Sequence, residues 1–364
     1  MKTNQKRQRI LLVAAVVVFV LLIAVIILTG IRADGKQKIG FIMTGSVDDD
    51  GWNGMHYSGV IAACEQLGTK VIVKENVSEG SGRCAEAIKE LADESVGMII
   101  LSSYSYPQEV IDVVNSYPDI AFYAISSEYT AENLTSFFGR IYQARYLSGI
   151  VAGMQSKSGR IGYVAAMSNN EVNRGINAFT LGVKKADPDA EVYVVMTGSW
   201  DDAESEIAAV HTLIDEHGAD VITYHQNQHR VAAAADEAGV YSIGYNEVAE
   251  GLSERYLGAV IWKWDSLYYR IIREYLQGQP NSVRRHWFDI DSGVVDFVPL
   301  SSVIDIETIH MLEAARASIS AGNAVFSGEI YDNKGTLQCG ENEMLSDESL
   351  LNRSDWYVDG VNIV

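Results

Sequence analysis

"RIGYVAAMSNNEVNRGINAFTLGVKKADPDAEVYVVMTG", residues 160–198, decides the fold class. RIGYVAAM (160–167) is a short, continuous apolar run bounded by polar residues, the pattern of a strand buried on both faces. VNRGINAFTLGVKKA (172–186) has helical spacing, and EVYVVMTG (191–198) is a second buried strand. Strand, helix, strand is the repeating unit of an α/β protein with a parallel sheet.

The same alternation runs outward in both directions. Upstream, strands are expected at 38–43, 70–76, 97–101, 120–126 and 135–139, with helices at about 53–67, 82–93, 107–116 and 143–156. Downstream, a helix at 203–218 is followed by strands at 220–225, 241–246 and 258–264 and helices at about 266–277 and 306–321. The scheme restarts at residue 160, so two doubly wound lobes are expected. In such sheets ligands sit beyond the carboxyl ends of the strands. Those loops begin at Thr44, Ser102, Ser126, Ser168, Gly198, His225 and Asn246.

The amino terminus is separate. Ile10–Ile31 holds no charge and would span about 33 Å as a helix, enough for a bilayer. Lys2, Lys6, Arg7 and Arg9 precede it and favour a cytoplasmic start. A cleaved secretory signal is the competing reading, but LTGIRADGKQK (28–38) has no clear A-x-A site, and the first cysteine, Cys64, is too distant for lipidation. The expected layout is a cytoplasmic segment 1–9, an uncleaved anchor 10–31, a linker 32–37 and an outward-facing binding domain 38–364. Within that domain, lobe 1 takes about 38–157 plus 264–290, and lobe 2 about 158–263 plus 291–364.

Charge follows the same split. The chain carries −20, while residues 1–34 carry five cations against one carboxylate, which leaves −24 beyond them. That balance opposes nucleic acid or anionic lipid as a partner of the folded part. Cys64, Cys84 and Cys339 match no metal spacing, and Cys64 lies in an apolar helical stripe as core filler.

Each chemical motif fails on spacing. GSVDDDGWNGMHYSG (45–59) puts three aspartates in a row, but a calcium loop starting at Asp48 would have Trp52 and Gly59 at ligand positions. Asp49 or Asp50 reads instead as a helix cap. His225 and His229 are four apart, but on a loop with no third ligand. No phosphate loop or nucleophile elbow is present, so no cofactor and no enzymatic activity are expected. Trp52 and Trp200 each follow a strand and an acidic or small-residue loop, where two rings would suit a flat heterocycle.

Several segments in order resemble the basic membrane protein family of extracytoplasmic solute-binding proteins, which includes purine nucleoside receptors of ABC importers. They are DDGWNGMHYSG, YQARYLSGIVAGMQSKSGRIGYVAA, NRGINAFTLGVKKADPDAEV, TGSWDDAESE, EAGVYSIGYN and SGVVDF, within about residues 38–361. The resemblance implies a type I periplasmic-binding-protein fold with a ligand cleft between its lobes. It also implies a purine held between Trp52 and Trp200, with Asn53 and Asp49 as the family's Asn and loop aspartate. It further implies an ABC permease as partner and placement of the binding domain outside a bacterial cell membrane.

Departures from the family pattern refine the ligand. Family carboxylates that hold ribose are replaced by Met43 and Asn246, a lysine by Trp262 (with Lys263 adjacent), and a base-contacting aspartate by Ser126. Each unpaired polar group in a closed site costs about 1–3 kcal/mol, so a nucleoside is disfavoured. The expected ligand is a free nucleobase such as adenine, read by Glu171, Asn246 or Ser126, with Tyr104 on the wall. Glu171 could equally cap the helix starting near Val172. Alternative readings are a purine nucleoside receptor and a membrane-anchored sensor that uses the same clamp.

Overall fold

The computed structural model describes residues 38–49, 51–278 and 284–364. The expected anchor at 10–31 lies outside them, as does Asp50. Among the described residues, no helix is long and apolar enough to cross a membrane. The described chain divides into two compact units. The first takes 38–49, His56–Phe137 and, from Tyr268–His286, the described part; the second takes 51–55, Phe138–Leu267 and Trp287–Val364.

The first unit is built on a six-stranded sheet of order β11-β5-β4-β3-β1-β2. The strands are β1 (Lys38–Ile42), β2 (Lys70–Lys74), β3 (Met98–Leu101), β4 (Ala121–Ile125), β5 (Leu134–Gly139) and β11 (Arg285–Phe288). Helices α1 (Trp52–Leu67), α2 (Arg83–Asp93) and α3 (Tyr106–Asn115) connect them. Helix α2 buries Cys84, Ala87, Ile88 and Leu91, a stripe at three- and four-residue spacing, against Ile99, Leu101 and Phe122. Burial, with Glu109 nearby, pushes the Cys84 thiol up to about 12, so it is an inert core group. The aspartate loop before α1 is pinned through Glu75, whose Oε2 accepts from Ser46 Oγ at 3.2 Å and Val47 N at 3.1 Å.

The second unit holds a seven-stranded sheet of order β12-β10-β9-β8-β6-β7-β15. Its strands are β6 (Arg160–Ala165), β7 (Glu191–Met196), β8 (Val221–His225), β9 (Tyr241–Asn246), β10 (Tyr256–Trp262), β12 (Val295–Pro299) and β15 (Val361–Ile363). The pairings are parallel apart from antiparallel β12 on β10. The quoted stretch forms β6, α5 (Asn170–Ala186) and β7 as expected.

Helix α4 (Ile141–Gln155) packs on α5 at a glycine crossing. A Cβ on Gly149 would stand 2.0 Å from the Phe179 carbonyl oxygen, and one on Gly182 would stand 2.0 Å from that of Tyr146. Only hydrogen fits at either position, so the two backbones touch.

Local physics shifted some expectations. Asn169 caps α5 by accepting from Val172 N at 2.9 Å, which takes that role from Glu171. The helix expected at 203–218 is α6 (Ala203–His211) followed by a π-turn at Thr212–Glu216. Helix α7 (Arg230–Glu237) was not expected from the sequence, because its eight residues are too few for a helical period to stand out. Helix α8 (Trp264–Leu276) starts two residues early, and α9 (Ile306–Ser320) falls where expected.

The carboxyl-terminal segment contains β13 (Ile330–Tyr331), β14 (Leu337–Cys339) and α10 (Asp347–Asn352), each too short to read from periodicity. Polar contacts fasten it to the second unit. Arg140 donates to both carboxylate oxygens of Asp347 at 2.7 and 2.6 Å, and Asn177 bridges Trp356 O and Val358 N at 2.9 Å each.

Replacing Gly149 or Gly182 by alanine should destabilise the protein by about 1–3 kcal/mol through overpacking. Urea unfolding followed by circular dichroism checks this. A midpoint equal to that of the parent protein would show that the helices can part at no cost.

Candidate functional site

Strand register builds a row of rings at one end of the second unit's sheet. Thr223 on β8 lies opposite Tyr163 on β6 and Ile243 on β9, and Tyr245 lies opposite Val260 on β10. Side chains two apart share a face. Tyr163, His225, Tyr245 and Trp262 therefore point to the same side near the carboxyl ends of four adjacent strands.

The rings touch in sequence. His225 and Tyr245 have centroids 4.3 Å apart, and Trp262 Nε1 donates to Tyr245 Oη at 3.3 Å. Trp264 stacks on Trp262 at 4.5 Å with planes 11° apart. Trp52 meets Trp264 edge-on at 5.4 Å, and Trp200 meets His225 edge-on at 5.6 Å. Trp52 and Trp200 are thus the two ends of a continuous path of rings. Gly139 lets Trp262 lie against the backbone, since a Cβ there would stand 2.6 Å from the indole.

Beneath the row, α4 delivers Arg145, which is fully buried. Its Nη2 donates to Tyr224 O at 2.8 Å, and its guanidinium carbon lies 4.3 Å from the Tyr245 ring centroid and 5.3 Å from that of Tyr163. Among the described residues, no carboxylate comes within 4.0 Å of it in an ion pair. Ring faces and a carbonyl hold this cation instead.

The buried charge sets its neighbours. Burial first, then Arg145 and Arg174, hold the His225 imidazole well below its ordinary pKa, so it is neutral. Burial raises the Glu171 carboxyl, and Arg174 and Arg145 pull it back down. Helix α5 brings Glu171 here in its first turn.

The expected site residues distribute as follows. Trp52, Asn53, Glu171, Trp200, Asn246 and Trp262 belong to the second unit; Asp49, Tyr104 and Ser126 belong to the first. Asn246 is 6% exposed, with Nδ2 at 2.8 Å from Met55 Sδ and no partner for its Oδ1. Trp262 rather than Lys263 faces the rings, because Lys263 turns out toward Asp296 at 3.6 Å. Tyr104 is 53% exposed, and Asp49 donates its N–H to Ser46 O at 3.3 Å. Met43 is fully buried and offers no carboxylate at the end of β1.

Two of these residues have positive φ, Ser126 at 50° after β4 and Asn246 at 79° ending β9. Non-glycine residues in that region are uncommon and cluster at functional sites.

In the sequence His225 marks the start of a ligand-side loop and is weighed as a metal ligand, whereas Tyr163, Tyr245 and Arg145 do not stand out. Counting back in twos from each strand's carboxyl end would have found the rings. His229 does a different job, with Nδ1 2.9 Å from Tyr224 Oη and Nε2 3.2 Å from Glu247 Oε1. Among the described residues, no group of three His, Cys, Asp or Glu could hold a metal ion.

Residues 36–327 match the family model described as ABC transporter substrate-binding protein, PnrA-like. The chain belongs to that family of substrate-binding proteins. A purine-binding protein from Brucella abortus (strain 2308) is 30% identical over 91% of this chain and 94% of its own length. A Haloferax volcanii protein named for ABC-transporter glucose binding is 28% identical over 88% of this chain and 79% of its own. Among solved structures, a transcriptional activator of the comK gene from Bacillus halodurans superimposes with a TM-score of 0.70 at 24% identity. That alignment covers 78% of this chain and 98% of the other.

Because folding holds His225 neutral while the unfolded chain protonates it near pH 6.5, its contribution to stability is complete above that pH. It is lost as the pH falls below 6.5, by up to about 1.4 kcal/mol per pH unit. NMR titration of the imidazole checks the premise. The His225 resonances should stay constant from pH 8 to 5.5, and a midpoint near 6.5 would contradict the buried, neutral ring.

Proposed function

We propose that this chain is the extracytoplasmic receptor of an ABC importer, and that it closes around a planar heterocycle, a purine nucleobase such as adenine. The observation that carries this reading is the ring row with Trp52 and Trp200 at its ends. Ring faces accept any flat heterocycle, and each is worth about 1–3 kcal/mol to a stacked base. The purine-binding relative, aligned along nearly the whole chain, supports the same class of ligand.

Two features favour a free base over a nucleoside. Met43 is apolar and buried where a ribose would want a carboxylate, and the bulky Trp262 occupies the row. On this reading, Asn53, Asp49, Ser126, Tyr104, Glu171 and Asn246 contribute contacts around the rings, and residues 10–31 tether the receptor to the membrane. Ligand contacts would shift the population toward the closed form, which a permease reads.

Calorimetric titration of the purified chain with adenine, adenosine and glucose tests this. Adenine should bind, adenosine at least tenfold more weakly, and glucose not at all. Tighter binding of adenosine would contradict the free-base reading, and glucose binding alone would contradict the class.

Trp52→Ala and Trp200→Ala should each weaken binding of adenine by about 1–3 kcal/mol, read as the ratio of dissociation constants. Unchanged affinity in both variants would remove the rings from the site.

A further inference from the structure

Tyr163 Oη and His225 Nδ1 are among the buried polar side-chain atoms of the second unit that have no partner. Tyr163 is fully buried and His225 is 1% exposed. Native proteins satisfy nearly all such atoms, so a pair of exceptions on adjacent strands calls for a cause. Both converge on one point. A Cβ built on Gly175 would stand 3.7 Å from Tyr163 Oη, 3.8 Å from His225 Nδ1 and 3.9 Å from Arg145 Cγ. Glycine in the body of α5 forgoes helix stability, yet a methyl group here would make only ordinary contacts. Nothing in the packing demands a glycine.

We propose that Tyr163 Oη and His225 Nδ1, beside Gly175, are specificity-determining groups that read the polar edge of the ligand. This rests on the nucleobase reading above and deepens it. The ligand class is an uncharged heterocycle whose edge carries a hydrogen-bond acceptor, a ring nitrogen or a carbonyl oxygen. The tyrosine hydroxyl donates to that acceptor, and the Arg145 cation behind the tyrosine ring strengthens the donation. The same cation disfavours a positively charged ligand. Neutral His225 supplies either a donor or an acceptor according to its tautomer, so it suits an uncharged edge. Trp200 stands edge-on against His225 at 5.6 Å, so the ring row reaches these two groups.

The test pairs affinity with stability in Tyr163→Phe, His225→Phe and Gly175→Ala, beginning with wild type against adenine, hypoxanthine and purine. Tyr163→Phe deletes an unpartnered polar atom, so the ligand-free melting temperature should hold or rise while the dissociation constant increases at least tenfold. Gly175→Ala should likewise hold or raise the melting temperature, because alanine favours the helix, and should weaken the same ligand. It keeps the test valid if His225→Phe fails to fold. Dissociation constants within twofold of wild type in both Tyr163→Phe and Gly175→Ala would overturn the inference while leaving the nucleobase reading intact. Wild type that binds none of the three bases would overturn that reading and the inference together.

Discussion

The second unit depends on how a buried arginine is satisfied. Arg145 carries a full charge at zero exposure, a condition that costs several kcal/mol unless neighbours compensate. The compensation is spread over the Tyr224 carbonyl, the Thr223 hydroxyl and two tyrosine faces. Those partners come from β6, β8 and β9, so the cation ties three strands at the end where the rings line up. It also lowers the basicity of His225 and keeps Glu171 from rising further. One interaction thereby fixes both the geometry and the charge of the site.

The glycines do related work. Gly149 and Gly182 bring α4 and α5 into backbone contact, which seats Arg145 beneath the strand ends and Glu171 beside them. Gly139 opens the wall against which Trp262 lies. The carboxyl-terminal segment adds a second brace, since Arg174 of α5 donates to Leu350 O at 2.6 Å and lies 5.1 Å over the Trp287 ring. Much of that segment follows the stretch matched by the family model, yet it secures the helix that carries Glu171 and Gly175.

The fold was legible because buried parallel strands are written as continuous apolar runs, and RIGYVAAM and EVYVVMTG have no other good reading. The site was half legible. Tryptophans after strands stand out in a sequence, so Trp52, Trp200 and Trp262 of the ring row could be picked out. Arg145 did not stand out, because one arginine in a helix reads as a solvated face until packing shows it buried. Tyr163 and Tyr245 were hidden by register, since only pairing shows that they and His225 share one side of the sheet. Short elements of the carboxyl-terminal segment carry too few residues for any period to emerge.

The central claim is that the ring row of the second unit, with Arg145 beneath it, is where the ligand is held. A crystal structure of the protein grown with adenine tests it most directly. The account predicts density for the base stacked on Trp52 or Trp200, with its polar edge turned toward His225 and Tyr163. Adenine bound away from these rings, or bound with its edge turned from His225, would contradict it.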